Sequence, residues 1–195
     1  MPLLNSLIQA INTLALSLSD YRTQQGCKFN FEQVFTLSTG TPLYIAVENP
    51  AESGVDLELI RRFFQTDTGG ADAAVLWDYD ISTATKTPLA VFNENNNHRS
   101  DIETSIEVSC LNPITIDAGT GIASIDGAAT VIDDGVIREP SFITSSGAGS
   151  NQSGDINPRT GSRIYKPGTG FLLKITSRDN NNNTLAGYTF SERKL

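Results

Sequence analysis

The sequence predicts a mainly β protein, a jelly-roll-like β-sandwich that is preceded by an N-terminal α-helix. Several short runs alternate apolar and polar residues at period two and are rich in aromatic and β-branched side chains, as half-buried antiparallel strands require. Turn residues separate some nine or ten such runs at intervals of about 8–12 residues, which is typical of two packed sheets. The helix is predicted by a different apolar period, with steps of three and four residues, which is confined to residues 2–25.

The helix is predicted over residues 2–25, because Pro2 suits a first-turn position and Gly26 suits the position just beyond a helix end. Its apolar residues follow steps of 4, 3, 4 and 3, which make a heptad seam: Leu4, Ile8, Ile11, Ala15 and Leu18. Such a stripe either packs on its own domain or contacts another chain, and the pattern leaves both readings open. We therefore divide the chain into residues 1–26, a helix for protein contacts, and residues 27–195, the sandwich.

Three polar residues interrupt the apolar N-terminus, namely Asn5, Gln9 and Asn12. A membrane span needs about 20 nearly unbroken apolar positions, and a signal peptide needs a basic start and a cleavage site. Neither is predicted. The net charge of −8, with no large basic cluster, also disfavours nucleic acid as a partner, since an acidic surface repels phosphates.

The strongest strand pattern lies in residues 73–113, where Val75, Trp77, Tyr79 and Ile81 recur at period two and are predicted to share one side of a strand. A polar loop follows at residues 93–101. Residues 145–161 are rich in Ser, Gly and Asn and predict a surface loop. The predicted core of the sandwich contains nine apolar residues: Phe31, Leu43, Ile45, Leu57, Val75, Trp77, Ile106, Leu173 and Phe190.

No catalytic residue, cofactor site or metal site is predicted. The single histidine, His98, lies in the polar loop, and no nucleophile-elbow motif accompanies it. Asp78 and Asp80 would lie roughly 7 Å apart on one strand face, between the carboxylate separations of retaining and inverting glycosidases. Any strand with alternating acids produces such a pair, so we interpret them as ordinary surface residues rather than as a catalytic pair. Residues 179–183 begin like a calcium loop, but Thr184 and Phe190 replace the glycine and glutamate that such a loop needs, which favours a hairpin tip.

Two further pairs of residues have alternative readings. Cys27 and Cys110 could form a disulfide, but each adjoins apolar sequence and two unbridged thiols are expected. Trp77 and Tyr79 could form a platform for stacking sugars, but their apolar neighbours favour a place in the core.

Two regions, residues 75–100 and residues 164–177, carry short motifs that resemble those of a widespread family of tailed-bacteriophage virion proteins. Residues 75–80, 86–89 and 92–100 are similar to a family strand of the form L-x-E-G followed by a polar loop of the form N-x-N-R-x-S, although Asp78-Tyr79 replaces the family's Glu-Gly. Residues 164–177 are similar to the family's L-K-x-x-T-x-Y-L-L-R-x-T strand. The resemblance covers roughly residues 26–195 and leaves out the predicted helix.

The resemblance implies a structural protein of a virion with a jelly-roll fold, which decorates the outer capsid surface, stabilises the shell like a cement protein and is assembled in the host cytoplasm. Its expected partners are two further copies of itself, in a homotrimer, and the major capsid protein. The heptad seam of the predicted helix, which the resemblance does not cover, is expected to contact one or the other through Leu4, Ile8, Ile11 and Leu18. The alternative is a tail-fibre or receptor-binding module that recognises a host surface glycan. A third and weaker class is a glycan-cleaving enzyme.

Overall fold

The computed structural model describes residues 27–67, 69–94, 102–130, 133, 135–143, 152–156 and 163–195. These residues form β-strands joined by turns and loops, with no helix among them. The predicted helix of residues 1–26, its contact residues Leu4, Ile8, Ile11 and Leu18, and His98 lie outside the described residues. The strands are β1 (Lys28–Leu37), β2 (Leu43–Asn49), β3 (Val55–Thr66), β4 (Ala71–Trp77), β5 (Thr87–Pro88), β6 (Val91–Asn93), β7 (Glu107–Cys110), β8 (Ile114–Ile116), β9 (Ala123–Ile125), β10 (Val136–Ile143), β11 (Gln152–Ile156), β12 (Arg163–Tyr165), β13 (Thr169–Ser177) and β14 (Asn182–Lys194).

The described strands form two sheets. The first, sheet A, has the order β11-β3-β14-β1-β9-β8, with β12 also pairing with β3 and β6 with β1. The second, sheet B, has the order β10-β4-β13-β2-β7-β5. All pairs are antiparallel except β1 with β9. The first four strands alternate between the two sheets, so that the chain crosses from one sheet to the other at each of the first three connections.

One large apolar cluster joins the two sheets into a β-sandwich-like unit. It contains Phe29, Phe31 and Phe35 from sheet A, together with Ile45 and Leu173 from sheet B. Neighbouring strands of sheet A stack aromatic rings in register, since Phe29 lies opposite Phe190 with ring centroids 5.8 Å apart. Such cross-strand aromatic pairs stabilise a sheet beyond the area that they bury.

Eight of the nine predicted core residues are buried, and the prediction is confirmed for them: Phe31, Leu43, Ile45, Leu57, Val75, Ile106, Leu173 and Phe190. Trp77 is the exception, because it is only half-buried and packs against the edge of the large cluster. A second, smaller cluster includes Leu76, Ile81 and Leu172, with Tyr79 packed against it.

Two details of the strand prediction are wrong. Period two does not continue from Val75 to Ile81, because β4 ends at Trp77 and Asp78 adopts a left-handed φ of 59°. This turn sends Tyr79 and Ile81 to the smaller cluster rather than to the side of Val75. The stretch predicted as a loop at residues 145–161 contains β11, which pairs with β3. Pairing of backbone groups needs no apolar alternation, so this strand has no signature in the sequence. The hairpin tip at residues 179–183 is confirmed, with Asn181 at a φ of 56° between β13 and β14.

Candidate functional site

A cleft of about 870 Å³ lies at one end of sheet B, and we call it the end cleft. Its walls come from the end of β2, the end of β4, the start of β7 and the start of β13, which the strand register brings to the same end of the sheet. β12 of sheet A closes the remaining side. Its volume falls within the range of about 300–1,000 Å³ that is usual for small-molecule sites. The end cleft is therefore the candidate binding site.

Three aromatic side chains of the end cleft, Trp77, Tyr79 and Tyr165, are packed in different ways. Tyr165 is buried and meets the edge of the half-buried Trp77 ring at 6.5 Å between centroids, with an interplanar angle of 85°. Tyr165 in turn contacts Phe171, which contacts Tyr188 in the core. Trp77 and Tyr165 are thus the outer end of a continuous chain of rings, which fixes their positions, whereas Tyr79 packs against the smaller cluster.

Tyr79 is held against the backbone by Gly170. A Cβ atom at position 170 would lie 2.9 Å from the Tyr79 hydroxyl oxygen and 2.3 Å from the Val47 carbonyl oxygen. Only glycine therefore lets the phenol approach β13 this closely. Burial raises the pKa of the Tyr79 phenol, and the nearby Glu48 carboxylate raises it further. The hydroxyl stays protonated in neutral solution and can donate a hydrogen bond.

Asn49 lies at the floor of the end cleft and is 2% exposed. Its Nδ2 donates hydrogen bonds to the Val55 carbonyl at 2.9 Å and to the Tyr165 carbonyl at 3.0 Å. These two bonds fix the orientation of the amide, because the reverse orientation would bring its oxygen against two carbonyl oxygens. No hydrogen-bond donor of the described residues reaches the Oδ1 atom. Asn49 therefore retains an unused acceptor beneath the cleft.

Charged side chains surround the opening, and most of them are acidic: Glu48, Glu52, Asp78 and Glu107 line the end cleft, with Arg163 as the basic one. Glu48 of β2 lies directly opposite Glu107 of β7, and the repulsion between two like charges in this position destabilises the sheet. Lys86 offsets part of this cost, since its Nζ lies 2.6 Å from Glu48 Oε2. The guanidinium of Arg163 lies 5.4 Å from the centroid of the Trp77 ring, in a cation–π contact.

The loop after β4 forms the rim beside Trp77 and is held by backbone bonds. Asp80 and Asp133 exchange two such bonds, with N···O distances of 2.9 and 3.2 Å. Gly135 lies against this turn, and a Cβ there would come within 2.2 Å of the Trp77 carbonyl oxygen. Since Gly135 also has a φ of 72°, glycine is required on both grounds.

The two aspartates weighed as a catalytic pair do not share a strand face. Asp78 is exposed at the left-handed turn, and Asp80 accepts a hydrogen bond from the Ser82 backbone N–H at 2.9 Å. This hydrogen bond lowers the pKa of Asp80. A carboxyl that serves as a general acid needs a raised pKa, so the environment of Asp80 is of the opposite kind.

The sequence left two interpretations of Trp77 and Tyr79, a place in the core or a platform for stacking sugars. The structure combines features of both, because the two side chains are half-buried and both line the end cleft. The remaining cleft residues, including Asn49, Tyr165 and Arg163, were not predicted. They come from strands far apart in the chain, and none belongs to a motif that indicates ligand binding. The nearest signal was the Gly168-Thr169-Gly170 turn, which brings glycines to the cleft wall.

Both cysteines lie in the described part of the chain and neither forms a disulfide, as expected. Cys110 is buried and Cys27 is half-buried, and burial raises the pKa of the Cys110 thiol to about 11. Among the described residues, no group of three or more His, Cys, Asp or Glu side chains is arranged to hold a metal ion. A search of the same residues finds no helix of the length and apolar character that a membrane crossing requires.

No protein-family model matches the chain, and no curated protein or solved structure is detectably similar to it.

Proposed function

We propose that this chain is a structural protein of a tailed-bacteriophage virion, which binds the outer surface of the capsid and stabilises the shell. The observation that carries the proposal is the pairing of the two regions that resemble the phage family. Residues 75–80 begin in β4 and residues 164–177 contain all of β13, and these strands are neighbours, with Leu173 opposite Val75. The resemblance thus concerns two parts of one structural unit rather than two unrelated stretches.

The finer fold that belongs to this proposal is a jelly roll. Its support is the order of the main strands, which run β1-β14-β3-β11 in sheet A and β2-β13-β4-β10 in sheet B. The first four strands alternate between the sheets, and each of the last two lies between two of the first four: β13 between β2 and β4, and β14 between β1 and β3. Jelly rolls occur in viral capsid proteins and also in lectins.

The proposed assembly is a homotrimer, in which residues 1–26 form a helix. Its stripe of Leu4, Ile8, Ile11 and Leu18 contacts the other two copies or the major capsid protein. The support is the 4-3-4-3 spacing, because an exposed stripe of large apolar residues costs about 25 cal/mol per Å² of surface left in water. We propose no catalytic role and no cofactor.

The copy number of the protein in purified virions tests the location. Quantitative mass spectrometry of particles from the phage that encodes the chain would compare it with the major capsid protein and with a tail protein. We expect a copy number of the same order as that of the capsid protein. A copy number like that of a tail protein would favour the alternative receptor-binding module, and absence from the particle would overturn the proposal.

The assembly is tested by light scattering on the purified full chain and on the double variant Ile8→Asp/Ile11→Asp. We expect the wild type to have three times the 21.0 kDa mass of one chain. The double variant should be monomeric and should no longer bind capsids, because the contact would bury unpaired carboxylates. Ile116→Asp is the matched control, since Ile116 is 48% exposed on β8 and its replacement should leave the mass unchanged. A monomeric wild type whose double variant still binds capsids would show that the stripe has neither role.

A further inference from the structure

We propose that the end cleft binds a neutral oligosaccharide. This assigns a ligand to a surface that the proposed capsid function does not use. The inference rests on three independent features of the cleft: the placement of its aromatic rings, its set of hydrogen-bonding groups and the sign of its charge.

The aromatic rings provide flat apolar surface beside polar groups. Trp77 and Tyr79 are half-buried at the cleft wall, while Tyr165 supports Trp77 from beneath in an edge contact. Rings that only filled the core would be covered, as Phe171 and Tyr188 are at 0% exposure. Partly exposed Trp and Tyr side chains at a concave site suit a ligand with one apolar face and polar edges, and a pyranose ring has this character.

The polar groups of the end cleft match sugar hydroxyls, each of which both donates and accepts. Acceptors are supplied by the carboxylates of Glu48, Glu107 and Asp78 at the opening, and donors by the protonated Tyr79 hydroxyl and by Arg163.

The charge selects a neutral ligand over an ionic one. Four carboxylates and one guanidinium line the cleft, so phosphates, sialic acids and uronic acids are repelled. A cationic ligand is attracted by the carboxylates but is repelled beside the rings by the positive charge of the Arg163 guanidinium, which lies 5.4 Å from the centroid of the Trp77 ring. A neutral glycan avoids both repulsions and uses the rings as well as the polar groups.

The test uses the single tryptophan of the chain as a reporter, because Trp77 is itself a cleft residue. The full chain would be titrated with an array of neutral tetrasaccharides, including maltotetraose, cellotetraose and chitotetraose. Sialyllactose and a glucosamine oligomer would serve as anionic and cationic comparators. We expect a saturable change in fluorescence, matched by calorimetry, with at least one neutral sugar at up to millimolar concentration, and weaker binding of both ionic sugars.

Variants assign the binding to the end cleft. Tyr79→Ala should lower the affinity for the tightest-binding neutral sugar by about tenfold, which corresponds to the loss of one ring contact. Glu107→Gln, at an exposed position, should lower it severalfold while the thermal midpoint stays at or above that of the wild type, since the repulsion from Glu48 is removed. Phe92→Ala is the matched control, because Phe92 is an aromatic residue 60% exposed outside the end cleft. It should bind as the wild type does.

Three results would overturn the inference: no saturable response to any neutral sugar, tighter binding of an ionic sugar, or unchanged affinity in both Tyr79→Ala and Glu107→Gln. Should Tyr79→Ala fail to fold, Glu107→Gln decides alone. Because binding is measured on the isolated chain, its failure is distinct from failure of the capsid proposal, which depends on copy number.

Discussion

Gly170→Ala should destabilise the protein, although alanine normally stabilises a position taken by glycine. The added methyl group would lie 2.3 Å from the Val47 carbonyl oxygen, 2.9 Å from the Tyr79 hydroxyl and 3.0 Å from Glu48 Cα. Two of these atoms belong to the backbone of β2, so rotating a side chain cannot relieve the contact. Since carbon contacts are favourable only near 3.5–4.0 Å, roughly 1 Å of strand movement is needed.

The magnitude follows from two opposing terms. Alanine reduces the entropy of the unfolded chain, which is worth about 0.4–1 kcal/mol in favour of folding. Overpacking of a tight site costs about 1–3 kcal/mol, and more where the backbone must move. We expect a net loss of about 1–2 kcal/mol, or a thermal midpoint lower by about 2–8 °C in a domain of this size.

The assay is equilibrium unfolding in urea, followed by circular dichroism and by Trp77 fluorescence, with Gly127→Ala as the control. A Cβ at position 127 would meet only Pro113, at 3.6 Å, so that variant should be as stable as the wild type or slightly more stable. The Trp77 signal should also shift in folded Gly170→Ala, because Tyr79 must move in the shared cleft. If Gly170→Ala unfolds at the same midpoint as Gly127→Ala, the argument that close packing holds β13 against β2 and Tyr79 is refuted.

Three further predictions concern the core. Phe171→Ala should cost about 3–5 kcal/mol of unfolding free energy, because the ring is 0% exposed and links the cleft aromatics to the core; a urea midpoint near that of the wild type would contradict this. At pH 8 Ellman's reagent should label the half-buried Cys27 well before Cys110, whose pKa is raised to about 11 by burial, and equal labelling rates in the folded protein would count against that burial. Burial also raises the pKa of Tyr188 above its ordinary value of 10.0. The folded state then keeps a phenolic proton that the unfolded state releases, so stability should fall as pH rises above about 10, by up to about 1.4 kcal/mol per pH unit for this residue. Urea titrations at several alkaline pH values should show a smaller decline in Tyr188→Phe, and an identical decline would refute the assignment.

The fold class and most of the core could be predicted from the sequence, because both depend on local periodicity. A strand with one buried face alternates apolar and polar side chains. The buried Leu43, Ile45 and Leu57 were predicted from such alternation within their own strands. Turn chemistry is equally local, so the hairpin tip at residues 179–183 was correctly predicted. The heptad spacing of Leu4, Ile8, Ile11 and Leu18 is a signal of the same kind, and its prediction remains to be tested.

The end cleft could not be predicted, because only the tertiary structure decides which strand ends meet. Glu48 and Glu107 become neighbours through the register of β2 with β7, and that register depends on hydrogen bonds between segments far apart in the chain. The left-handed turn at Asp78 moved Tyr79 off the side of Val75, since a single residue with positive φ reverses the alternation that follows it. Whether Trp77 belongs to the core or to a binding surface was likewise open in the sequence. It was decided by β12, whose Arg163 and Tyr165 pack against the ring and leave part of it in the cleft.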